Sequence, residues 1–161
     1  MLPMNHLMPS RAPIACLLAL LVVTTAAASP KPPEMPATID VAVAPTAVSA
    51  GESAHVTVQL EPIDGVQINR YPRITLKLAG RDGLAADAEV MVGNSAPPEP
   101  GKMDANYFDR VDPLNLEIVT DAGAPAGTHT LNGELTYFYC VKASGFCAPK
   151  KTSVAIPLQI H

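Results

Sequence analysis

The chain has 161 residues, of which 4% are aromatic and 16% charged, with a formal net charge of −4, 17 prolines and no tryptophan. Acidity of this kind disfavours nucleic acid and anionic membrane as partners, since both attract basic surfaces.

The N-terminus carries Arg11 and no acidic residue before Glu34, then an apolar run from Ile14 to Val23 and small residues from Thr24 to Ser29. This pattern predicts a secretory signal peptide over residues 1–28, cut after Ala28. Its apolar core is half of the roughly 20 residues that a membrane span requires. Cys16 lies near the start of that core rather than after it, so it is expected to leave with the signal. Export implies a periplasmic product with ten basic against fifteen acidic residues. Residues 29–36 hold four prolines and predict an extended linker. A single domain is expected over residues 37–161, long enough to build one core.

Within that domain, short apolar or alternating runs rich in Val, Ile, Leu and Thr are separated by Gly, Pro, Asn and Asp. Strands are predicted at Thr38 to Ala44, His55 to Glu61, Val66 to Ile68, Ile74 to Ala79, Glu89 to Val92, Leu114 to Thr120, Thr128 to Tyr139 and Thr152 to Gln159. The period-two runs His55-Val56-Thr57-Val58-Gln59-Leu60 and Ile74-Thr75-Leu76-Lys77-Leu78 should each bury one face. No segment carries a helical stripe. Seven or eight strands at regular spacing predict an all-β fold, an immunoglobulin-like antiparallel β-sandwich. The stretches Gly93 to Asp104 and Asp121 to Ala126 resist a strand assignment.

Cys140 and Cys147 are the two cysteines expected in the mature protein, and export favours a bond between them. Lying between the last two predicted strands, they would close a hairpin loop at the sandwich edge, with Pro149 limiting strand pairing beyond the second thiol. Two readings stay open from the residues alone. As a structural staple in a non-catalytic secreted binding module, the eight-residue loop would contribute roughly 2 to 3 kcal/mol. As an exchange pair, it would draw on Lys142, Lys150 and Lys151, whose charge favours a thiolate. All three Phe and three of the four Tyr fall between Tyr107 and Phe146, which could shield a reduced pair.

Other chemistries find less support. His55, His129 and His161 do not follow the cysteines at a blue-copper spacing, and two cysteines do not make a closed zinc site, so no metal or other cofactor is expected. Met35, Met91 and Met103 are too dispersed for a copper carrier. There is no nucleophile elbow, phosphate loop or distinct carboxylate pair.

The segment from Gly133 to Leu158, with its strand into Tyr139-Cys140, its Gly145-Phe146-Cys147-Ala148-Pro149 and its closing β run, resembles the N-terminal periplasmic domain of the DsbD thiol:disulfide interchange family. Upstream, Asp64-Gly65-Val66-Gln67-Ile68-Asn69 with Pro72 looks like a motif of that family, and Asp104 to Phe108 sits where it has a cap loop. The resemblance covers about 100 residues. It implies an immunoglobulin-like fold whose cysteines cycle between dithiol and disulfide. Partners would be thioredoxin-like or disulfide isomerase-like periplasmic proteins, with a separate membrane protein as electron donor. It further implies that Cys147 forms the mixed disulfide and Cys140 resolves it, with Asp104, Tyr107 and Phe108 in the cap, to which the aromatic clustering adds Tyr139 and Phe146 as shield. The cysteine spacing is one residue longer than in the best-known members, Gln67 stands where His is common, and one proline rather than two follows Cys147.

Overall fold

The computed structural model describes residues 31–161 apart from Asp82, Asp87 and Ala88. The expected signal peptide and the first two linker residues lie outside that range. Among the described residues ten strands run in chain order: β1 (Ala37–Ala44), β2 (Ala47–Val48), β3 (Ser53–Pro62), β4 (Val66–Ile68), β5 (Ile74–Leu78), β6 (Leu84–Ala85), β7 (Glu89–Val92), β8 (Leu114–Thr120), β9 (Gly127–Val141) and β10 (Phe146–Ile160). Among the described residues no helix is long and apolar enough to cross a membrane.

The strands form two sheets, one ordered β1-β3-β8-β6 and the other β2-β10-β9-β5-β7, with β4 pairing the far end of β9. All pairings are antiparallel except the two-residue contact of β2 with β10. The fold is therefore the predicted all-β sandwich. Every expected strand is present, and the alternation explains why: Val56, Val58 and Leu60 of β3 turn inward with Leu114, Leu116 and Ile118 of β8. Leu76, Leu131, Leu135, Ile156 and Leu158 meet them from the second sheet.

Among the described residues twelve large side chains in this core are less than 2% exposed. Each contributes on the order of 1.5–3 kcal/mol of burial, so together they outweigh any single short-loop disulfide before chain entropy is subtracted.

Three expectations need correction. β2 and β6 were not anticipated, because two-residue strands carry no readable alternation. β9 and β10 extend beyond their predicted ends and form a hairpin paired from Val141↔Phe146 to Gly127↔Ile160, so its loop is only Lys142 to Gly145. Pro149 does not interrupt this ladder; it sits within β10 opposite Phe138. The amide of Asn69 donates to the Phe138 carbonyl at 2.9 Å, so the backbone groups of Phe138 face β4 rather than β10. By antiparallel alternation, the position opposite Phe138 points its own amide away from β9, and a proline there costs no ladder bond.

The connection after β7 docks against β4. Gly93 has φ +117°, and a Cβ at this position would run into the Arg70 carbonyl, which accepts a 2.7 Å bond from the Asn94 amide. A short 3-10 turn, Met103–Asn106, follows. Asn106 is buried and satisfied: its Oδ1 accepts from the Tyr71 amide at 2.9 Å, and its Nδ2 donates to the Tyr71 carbonyl at 3.0 Å. A bridge between Asn69 and Tyr107, and a 3.0 Å bond from the Phe108 amide to the Ile68 carbonyl, complete the attachment.

Candidate functional site

Cys140 and Cys147 are bonded at 2.04 Å and stand directly opposite each other on β9 and β10, one step inside the strands rather than in the loop. Their Cα atoms are 4.1 Å apart, near the roughly 4.5 Å of a non-hydrogen-bonded antiparallel pair. Strand register alone brings the two sulfurs together. Because side chains alternate, the pair shares the outer face of its sheet with Phe138, while Tyr137 and Tyr139 point into the core.

The two sulfurs differ in surroundings. Cys140 is 4% exposed, flanked on β4 by Gln67, its register partner, and by Asn69, whose Oδ1 lies 3.5 Å from Cys140 Sγ. In the dithiol form Cys140 could donate to that oxygen. Cys147 is exposed, its Sγ 3.7 Å from the Gly145 carbonyl.

The residues expected to shield the pair divide between two faces. Tyr107 bridges Asn69 and so stands on the sulfur face, half-buried and one strand beyond Asn69. Phe108 joins the core, its ring under the Arg70 guanidinium at 4.6 Å. Tyr139 and Phe146 meet on the inner face with ring centroids 6.3 Å apart, and Phe146 emerges 40% exposed beside the hairpin loop. Asp104 is exposed in the 3-10 turn. Most of the aromatic concentration is thus core packing rather than cover for the disulfide. Burial, with the neighbouring Tyr139 adding to it, pushes the Tyr137 hydroxyl up to about 12.

The lysines also fall differently from expectation. Lys150 has inward parity and donates from Nζ to the Glu34 carbonyl at 2.6 Å. Lys151 pairs with Glu134 at 2.8 Å. Lys142 leaves the strand toward β4, donates its amide to the Gly65 carbonyl, and lines an open cleft of about 350 Å³ with Asp64, Gln67 and Asp109. Two of the three charges are therefore directed at other groups, and burial rather than charge is what distinguishes the sulfurs.

In the sequence Asn69 stands out only as the last residue of the Asp64 to Asn69 motif. Its contact with Cys140 depends on the β4–β9 register, for which three residues of β4 give no readable signal. Among the described residues no three of His, Cys, Asp and Glu gather as a metal set.

No family model matches the chain, and no curated protein does either. A solved structure of Spo0M, a sporulation control protein from Bacillus subtilis, is similar over 78% of this chain and 49% of its own, with 11% identity and a TM-score of 0.35. The chain spans about half the length of that structure, and a likeness at this level carries no argument.

Proposed function

We propose that this domain is a periplasmic thiol:disulfide exchange module of the kind found at the N-terminus of DsbD proteins. It passes electrons through Cys140 and Cys147 from a membrane-held dithiol donor to thioredoxin-like or disulfide isomerase-like proteins. The observation that carries the reading is the unequal exposure of two sulfurs held together by strand register: one is open to attack and the other is sheltered beside it.

The chemistry follows from that inequality. In the dithiol form the Cys147 thiolate attacks a partner disulfide, forming a mixed disulfide and releasing the partner's second sulfur as a thiolate. Cys140, after losing its proton, attacks the Cys147 sulfur, forming the intramolecular bond and expelling the partner's remaining thiolate, which takes up a proton. Two electrons pass to the partner, and a donor dithiol restores the pair by the reverse sequence.

A staple in a non-catalytic binding module is the second reading, favoured by the engagement of Lys150 and Lys151 elsewhere. The rate at which a thioredoxin-like dithiol protein reduces the disulfide, compared with a small dithiol at equal thiol concentration, separates the two. Exchange predicts much faster reduction by the protein; equal or slower reduction contradicts it.

A further inference from the structure

Among the described residues β10 leaves most of its outer edge unpaired. Among the described residues it pairs with β9 along its whole length, but with β2 only at Gln159 and Ile160. The amides of Gln159 and His161 donate toward β2, to the carbonyls of Thr46 and Val48. At the other end, Phe138 directs its backbone at β4 through the Asn69 bond, so its partner Pro149 faces away from β9. Both ends give the same parity. Cys147, Pro149, Lys151, Ser153, Ala155 and Pro157 therefore turn their backbone groups to the open edge. The prolines remove two donors, a usual guard against indiscriminate strand pairing. Cys147 and Lys151 keep theirs.

Resting on the exchange reading, we propose that the partner docks by strand addition: an extended, cysteine-bearing segment of a thiol:disulfide protein pairs with the β10 edge from Cys147 to Lys151. Cys147 offers an amide and a carbonyl, Pro149 a carbonyl, and Lys151 an amide and a carbonyl. A residue hydrogen-bonded opposite Cys147 would have its Cα about 5.5 Å away, inside the usual disulfide range.

The arrangement also serves the displacement. β9, β10 and the added strand lie side by side, so Cys140, Cys147 and the partner cysteine form a row on one face. Attack on a disulfide sulfur runs in line with the bond that breaks. Cys140 thus lies on the far side of Cys147 from the leaving partner sulfur. The recognition uses main-chain groups and selects an extended conformation rather than particular side chains.

Lys151→Pro removes the outward amide without touching the β9 ladder, as Pro149 already does, while Lys151→Ala keeps the amide and deletes the ion pair with Glu134. Reduction of the disulfide by a thioredoxin-like dithiol protein should be slower by roughly two- to tenfold in Lys151→Pro than in Lys151→Ala, the range of one net hydrogen bond. Reduction by a small dithiol should not separate the two variants. Equal protein-driven rates in Lys151→Pro and Lys151→Ala would overturn the docking mode and leave the exchange reading standing. The Cys140→Ser variant, joined through Cys147 to an extended cysteine peptide, gives a second readout: the amides of Cys147 and Lys151 should exchange hydrogen more slowly by roughly tenfold or more. Unprotected amides in a mixed disulfide that does form would overturn the docking alone. Failure of any mixed disulfide to form would overturn both.

Discussion

Cys140 and Cys147 are opposed across β9 and β10 with Cα atoms 4.1 Å apart, yet Cys140 is 4% exposed and Cys147 is open to solvent. A bond between two sulfurs in such different settings presents one face to an incoming thiolate. Under the exchange reading it would give the two atoms different duties after reduction, since access decides which sulfur is attacked.

The first consequence is directional trapping. Cys140→Ser leaves the exposed thiol without its resolving partner and should accumulate a mixed disulfide with a thioredoxin-like protein. Cys147→Ser should accumulate little, its thiol sheltered by Gln67 and Asn69. Non-reducing electrophoresis of the two variants reads the difference. Trapping by Cys147→Ser alone would reverse the assignment.

Replacing both cysteines by Ser should cost roughly 2–3 kcal/mol, the loop-entropy value for so short a loop. The hairpin is paired along fifteen residues on each side and its core face is built without the sulfurs, so the fold should persist. Urea unfolding should show one cooperative transition at a lower midpoint. A chain already unfolded in water would make the bond a structural requirement.

Tyr137 gives a pH signature. Its hydroxyl titrates at about 12 in the folded chain against 10.0 for an ordinary tyrosine, chiefly because burial disfavours the phenolate. The folded value is raised, so the associated stability is fully present below pH 10, where both states are protonated. It is lost as pH rises from 10 toward 12, because the unfolded chain ionises first. The loss is on the order of 2 kcal/mol. Denaturant unfolding at pH 9 to 11.5 should show this decline, and Tyr137→Phe should lessen it. A slope identical in both proteins would contradict the assignment to Tyr137.

The sandwich was legible because its long strands write their burial into period-two runs. Val56, Val58 and Leu60 alternate with polar residues on β3, as do Leu114, Leu116 and Ile118 on β8. Short elements were not legible: β2 and β6 hold two residues each, and their place is set by the sheets they complete. Proline misled at position 149, where its effect depends on which way a residue's amide points, a property of register rather than of sequence. The cysteine pairing was legible from the cysteine count and the export expected from the N-terminus. The faces on which Lys150 and Lys151 would lie were not, because both precede the predicted start of β10 at Thr152, and Phe108 lies outside every strand. Asn69 reaches Cys140 from 71 positions away in the chain, which no local pattern records.

The reduction potential of the Cys140–Cys147 couple, measured by equilibration with a thioredoxin-like protein of known potential, tests the central claim most directly. Structural disulfides in secreted proteins lie below about −300 mV, whereas exchange proteins lie above that mark. An exchange-active pair should equilibrate readily at a potential in the higher range. A value well below about −300 mV, reached without measurable reaction toward the protein dithiol, would contradict the account and leave the bond a staple.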